Sequence, residues 1–174
     1  MTNPVPERLI NFRVYLSGNT LAGEATIDLP DLEPMTDTVS GAGIAGEVES
    51  PVLGHFQSMA TSITWRTITE AALKLAAPMA HELEARGSSQ VYDAGSGQYR
   101  TQAIRVAMRC VPKNVSLGTF EVGSTTDTET EFEVNYIKIQ VGGVTRVEID
   151  KFNYKCVIDG VDYLASVRRD LGLN

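Results

Sequence analysis

Long apolar runs, cysteine and histidine are all scarce in this sequence, and each scarcity excludes something. No run of eighteen apolar residues occurs in the 174, so no transmembrane helix is expected. The opening MTNPVPERL has neither a basic region nor an apolar stretch. It reads as a chain with no secretory signal and a cytoplasmic origin. The two cysteines, Cys110 and Cys156, lack CxxC spacing, which argues against a metal or redox site. Both sit in strand-like apolar runs and read as buried, reduced thiols; a disulfide between them is the alternative. The two histidines, His55 and His81, stand outside any HxxxH or HExxH context and read as structural.

Catalytic signatures are missing as well. GAGIAG, residues 41–46, lacks the strand–helix setting of a dinucleotide loop and the lysine of a phosphate loop. There is no GxSxG elbow and no recognisable Ser/His/Asp or Cys/His set. Carboxylates are plentiful, yet no two are placed to suggest acid and base roles. The reading is a non-enzyme with no cofactor and no metal.

What is present is a globular composition with a negative balance. The length predicts one domain, residues 1–174, able to bury a core without disulfides or metals. A formal charge of −7 argues against a protein that grips nucleic acid, which needs phosphate-neutralising Lys and Arg. It does not argue against one that lets DNA pass without sticking.

The chain is mostly strand-like. Residues 8–16 and 20–30 flank a turn signal at Ser17, Gly18 and Asn19 and predict a hairpin. Residues 34–54 carry four glycines and two prolines and show no period. This predicts a long loop that becomes ordered against something. In residues 56–67, Met59, Thr61, Ile63 and Trp65 share one face of a half-buried strand. Thr67 and Glu70 have capping-box spacing and predict a helix of two to three turns, ended by Pro78. His81, Leu83 and Ala85 alternate with Glu82, Glu84 and Arg86. A turn falls at residues 93–97. Ile104, Val106, Met108 and Cys110 face one way, Arg105 and Arg109 the other. Residues 130–141 and 144–158 are joined by Gly142-Gly143, a two-residue hairpin signal. The last run has a phase change: Val147 and Ile149 are odd, Phe152, Tyr154, Cys156 and Ile158 even. A regular strand cannot bury both sets on one face. A bulge or bend near Asp150 and Lys151, or burial of both faces, would reconcile them.

Between residues 115 and 137 there are five acids and no Lys or Arg. Asp127, Glu129, Glu131 and Glu133 fall at period two and are expected to share a strand face. One reading is a solvated face. The other is a surface that must stay negative, such as a channel lining.

The closing residues 148–173, EIDKFNYKCVIDGVDYLASVRRDLGL, resemble the C-terminus of the FII-like major tail tube proteins of P2-type contractile phage tails and R-type bacteriocins. The shared pattern falls on Glu148, Ile149, Asp150, Asn153, Asp159, Gly160, Val161, Asp162, Leu164, Arg168, Arg169, Gly172 and Leu173. SGAGIAG, residues 40–46, is similar to the family's RGAGMPG loop, with Ser40 and Ala45 in place of Arg and Pro. AMRC, residues 107–110, is similar to its central VMRG.

The resemblance implies a mainly β fold of two packed antiparallel sheets, a β-sandwich or barrel with one flanking helix and a long extended loop, similar to type VI secretion tube proteins. It implies hexameric rings stacked into a hollow tube that drives through a cell envelope. The partners implied are further copies of the chain, a sheath outside, a tape-measure protein and DNA in the lumen, and a baseplate and terminator at the ends of a virion tail or bacteriocin particle. Within that frame Gly41, Gly43, Ile44, Gly46 and Val48 are candidates for ring-to-ring contact. Asp127, Glu129, Glu131 and Glu133 are candidates for the lumen or its rim. Asp150, Asp162, Arg168 and Arg169 are expected to form ion pairs within or between subunits. A monomeric β-sandwich binding module and a secreted type VI tube protein are the rival readings.

Overall fold

The computed structural model describes residues 3–173 apart from 19, 22 and 24. β1 (Pro4–Leu16) lies antiparallel to β7 (His81–Asp93), β7 to β8 (Gln98–Ser116), and β8 to β9 (Thr128–Val141). On its other side β9 has two successive neighbours. Residues 128–133 pair with β6 (Ala60–Trp65), which carries β3 (Ala25–Asp28). Residues 136–141 pair with β10 (Val144–Asp150), which carries β11 (Lys155–Ile158) and β12 (Val161–Asp162). The result is a branched ten-stranded antiparallel sheet, sandwich-like and not a closed barrel. A second sheet has two strands, β4 (Pro34–Ser40) and β5 (Glu47–Phe56).

The branching follows from a bulge. Arg109 pairs with Tyr136 and Cys110 with Val134, so Asn135 is the extra residue on β9. Before it the buried residues are even-numbered, Phe132 and Val134; after it Ile137 is buried. One strand thus serves both branches. The core between them combines Val14, Ile63, Trp65, Leu83, Val106, Met108, Cys110, Phe132, Ile137 and Ile149. The alternation expected for residues 56–67 is present: Met59, Thr61, Ile63 and Trp65 are buried. Gly142 and Gly143 form the two-residue turn, with φ of +60° and +81°. That is the type I′ pattern, whose twist suits flanking strands.

Several elements differ from expectation. The hairpin after β1 is only two pairs long, Tyr15 with Leu21 and Leu16 with Thr20 in β2 (Thr20–Leu21). The rest of that run leaves as β3 to pair with β6, and Asn19 of the expected turn lies outside the described residues. α1 (Glu70–Lys74) has five residues, and its cap is Thr69, not Thr67. Thr69 has extended backbone angles, and its hydroxyl accepts from the Ala72 amide at 3.1 Å, the N-cap to N3 bond.

The phase change at residues 150–151 is a reverse turn. β10 stops at Asp150 and β11 returns beside it, so Ile149 lies opposite Cys156 and Val147 opposite Ile158. Across antiparallel strands, opposed residues share a face, which brings the odd set and the even set together. A second short helix, α2 (Ala165–Asp170), closes the chain. Its end is a Schellman motif: the Leu173 amide donates to the Arg168 carbonyl at 2.9 Å and the Gly172 amide to the Arg169 carbonyl at 3.0 Å, with Gly172 at φ +70°. No helix among the described residues is long and apolar enough to cross a membrane.

Candidate assembly surfaces

Residues 34–56 form a hairpin in place of the expected long loop. β4 and β5 pair through Thr36–Pro51, Asp37–Ser50, Thr38–Glu49, Val39–Val48 and Ser40–Glu47. The six-residue turn holds Gly43 and Gly46 at φ +97° and +131°, which L side chains rarely adopt. The Ile44 amide donates to the Gly41 carbonyl at 3.1 Å.

The register makes the hairpin amphipathic. Val39, Val48, Asp37, Ser50 and Val52 fall on one face; Thr38, Glu49, Thr36, Ser40 and Glu47 fall on the other, where the Thr36 hydroxyl donates to Glu49 at 2.7 Å. Met35, Val39, Ile44, Val48, Val52 and Leu53 are all at least 40% exposed. An isolated two-stranded hairpin is marginally stable in water, yet every residue of β4 is exposed.

The hairpin is anchored at its root. A Cβ on Gly54 would lie 2.6 Å from Leu164 Cγ, so glycine there lets the C-terminal segment pack flush against β5. Leu164 is buried. The Gln57 amide donates to the Glu33 carbonyl at 2.9 Å, and Lys151 Nζ donates to the Gln57 carbonyl at 2.7 Å.

Lys151 also lies 3.3 Å from Glu133, which accepts from the Ser58 hydroxyl at 2.5 Å and the Met59 amide at 3.3 Å. Burial pushes the Glu133 carboxyl up, and these donors with the Lys151 charge outweigh it, leaving it below its ordinary value. Glu133 is therefore a structural hub and not a free lining charge. Asp127 also departs from expectation: it precedes β9, with φ +51°, and accepts from the Thr125 hydroxyl at 2.8 Å. Glu129 and Glu131 do face away from the core, flanked by the neutral Thr64 and Ser62 of β6 and Ser116 and Asn114 of β8. Neither meets a cation among the described residues.

The four ion-pair candidates separate. Arg168 Nη2 is 2.6 Å from Asp162 and its Nη1 donates to the Tyr154 carbonyl at 2.7 Å. The Arg168 hydrogen bond holds the Asp162 carboxyl below its usual range. Asp150 makes no ion pair among the described residues. Its carboxylate accepts from the Phe152 and Asn153 amides at 3.1 and 3.0 Å and from the Asn153 side chain at 2.7 Å. A carboxylate two residues before the amide it accepts from is an Asx turn, which is what the reversal after β10 needs. Among the described residues Arg169 reaches only its neighbour Asp170, at 4.0 Å, and is largely exposed.

One polar feature escaped the sequence reading. Glu84 is 6% exposed on the face of β7 opposite the core. It accepts from Arg86 Nε and, at 2.6 Å, from Arg105 Nη2. Arg86 also stacks 4.4 Å from the Tyr15 ring centre. Burial pushes the Glu84 carboxyl up, and the two arginines outweigh it, so it stays below its ordinary value. Two strands on, the Tyr136 hydroxyl donates to Glu148 at 3.0 Å and Lys155 pairs with Glu148 at 2.9 Å. Burial, then Glu148, pushes Tyr136 up to about 12. The signal was available: Glu84, Arg86 and Arg105 all have non-core parity on adjacent strands.

These features describe a protein with several ion pairs inside the subunit and an exposed hairpin that carries six exposed apolar residues. Comparison with known proteins gives one family and a curated relative. The profile of the family described as phage tail tube protein FII matches residues 6–172. The tail tube protein of Escherichia phage P2 is 28% identical over 176 aligned residues, covering 97% of this chain and 99% of the relative.

Proposed function

The chain belongs to the phage tail tube protein FII family, and from that premise we propose that it forms the inner tube of a contractile tail or of a headless bacteriocin particle. It does so as one domain without catalytic chemistry. Copies close into hexameric rings, the rings stack into a hollow conduit, and a sheath surrounds it. The tape-measure protein and DNA occupy the lumen, and baseplate and terminator cap the ends.

The observation that carries this reading is the hairpin of residues 34–56. Its apolar face is uncovered in the subunit, and its root is clamped by Leu164 and Lys151. A projecting element with nothing of its own to bury is suited to burying surface on a neighbour. Gly41, Gly43, Ile44, Gly46 and Val48 form or flank its tip. Glu129 and Glu131 suit the lumen, where uncompensated negative charge keeps a polyanion from adhering.

Hydrogen exchange on free and assembled protein tests the hairpin's role. Amides of residues 36–50 exchange freely in the subunit and are strongly protected after assembly. Equal protection in both states would show that the hairpin is not the contact between rings.

A further inference from the structure

We infer that the C-terminal segment, residues 150–168, is a collar that fixes the direction in which the hairpin leaves the body of its own subunit. The device lies within one chain, so its failure and the failure of the tube reading are distinguishable. Its two points of hold are Lys151 and Leu164. The turn after β10 presents the first. Asp150 fixes that turn through the Phe152 and Asn153 amides. The Lys151 amide donates to the carbonyl of Asn135, the bulged residue of β9, at 3.1 Å. From there Lys151 Nζ reaches the Gln57 carbonyl at 2.7 Å and Glu133 at 3.3 Å, and Glu133 accepts from the next two residues of the chain, Ser58 and Met59. Arg168 steadies the second hold. Its guanidinium ties Asp162 to the Tyr154 carbonyl, and Asp162 accepts from the Leu164 amide at 3.1 Å. Leu164 is thereby held against Gly54, whose φ of +65° and missing Cβ leave room for it.

Two separate holds do what one cannot. Gly54 and Gln57 lie roughly 10 Å apart along an extended chain at about 3.3 Å per residue. A single contact leaves a hairpin free to tilt about it; two at that spacing oppose the tilt. Beyond Phe56, which packs on the core, packing does not replace them. Every residue of β4 is exposed, and an open cleft lies between Met35 and Thr36 of the hairpin and Ser58, Glu133 and Lys151. The lever is long. Thr38 pairs with Glu49, so it stands roughly 16 Å from Gly54 at about 3.3 Å per residue, and a swing of about 20° moves it by roughly 5 Å. The collar also accounts for the density of the closing segment. Asp150, Asp162, Leu164 and Arg168 have no chemistry of their own to perform, and their contacts converge on the hairpin's root.

The test places nitroxide labels at Thr38→Cys on the hairpin and Thr101→Cys on β8; both positions are exposed, and Cys110 and Cys156 are buried. Pulsed dipolar spectroscopy on the free subunit reads the distance distribution between them. A single narrow distribution is expected. Lys151→Met and Arg168→Gln, neither of which removes a core side chain, each widen it, by roughly 5 Å for a swing of about 20°, with little change in thermal midpoint. Arg169→Gln, one residue on and largely exposed, leaves it unchanged. A broad distribution in the unsubstituted chain would overturn the collar, as would a narrow one that survives Lys151→Met and Arg168→Gln together. Equal broadening by Arg169→Gln would mark a general loosening and count against it. Unfolding of either variant would show that these residues hold the body itself, and would likewise overturn it.

Discussion

Replacing Val39 and Val48 together by Asp separates the subunit's stability from its assembly. Both valines lie on the same hairpin face and are 45% and 51% exposed. Nearly half of each side chain therefore remains to be buried by a neighbour. Fully burying a Val contributes about 1.5–3 kcal/mol, so the remaining part contributes about 1 kcal/mol each and about 2 kcal/mol per hairpin. That corresponds to roughly a 30-fold weaker contact, before the cost of desolvating two carboxylates, which adds several-fold more. The free subunit loses little, because surface substitutions away from packed features usually change stability by about 0.5 kcal/mol or less. Urea unfolding of the subunit and sedimentation across a concentration series measure the two quantities. The expected result is an unchanged midpoint with a critical concentration raised at least about 30-fold. Assembly at wild-type concentrations would refute the interface; a large fall in the midpoint would show that the hairpin belongs to the core.

Four further outcomes follow from the same contacts. Glu84→Gln should cost about 1–2 kcal/mol in urea unfolding, a reduced figure because Arg86 and Arg105 are half-exposed and stay hydrated; no change would mean the triad is ornamental. The depressed carboxyls of Asp93 and Asp162, held down chiefly by the Asn3 amide and by Arg168, and of Glu84, Glu133 and Glu148, where cationic and hydrogen-bonding partners outweigh burial, give stability that is full above the unfolded carboxylate range. It is lost as pH falls through their folded values, so thermal midpoints should drop below about pH 4 and hold above about pH 5; a flat profile to about pH 3 would contradict this. The Thr130 hydroxyl is buried with no partner among the described residues, so Thr130→Val should stabilise by about 1 kcal/mol, read as a raised melting temperature; a lowered one would reveal a bond the threonine makes. Burial pushes the Cys110 thiol up to about 12, so a thiol reagent at pH 8 should label it only on unfolding; rapid native labelling would show that the core opens.

The sequence made the core legible because buried faces leave periods. Thr61, Ile63 and Trp65 alternate against Ala60, Ser62 and Thr64, and that is what the strand buries. Gly142-Gly143 announced its turn because few other residues tolerate two consecutive positive φ values. The hairpin of residues 34–56 was illegible for the complementary reason. Beyond its root at Gly54 and Phe56 it is largely exposed, so Val39, Val48 and Val52 leave no core period and sit among glycines and prolines that suggest a loop. The phase change after Ile149 was visible as a pattern but not as a geometry, since a bulge and a reverse turn both shift parity. The family resemblance puts Asp150 among the ion-pair candidates, whereas its carboxylate accepts from the Phe152 and Asn153 amides and serves the turn. The alternation puts Glu84 on the outward face, but strand parity alone does not say which outward residues neighbouring arginines cover.

The claim that this chain builds a hollow conduit from copies of itself is tested most directly by electron microscopy of the purified protein as its concentration rises. Rings that stack into tubes with an open lumen are expected. A protein that stays monomeric at every concentration, or that forms only solid filaments, would contradict it.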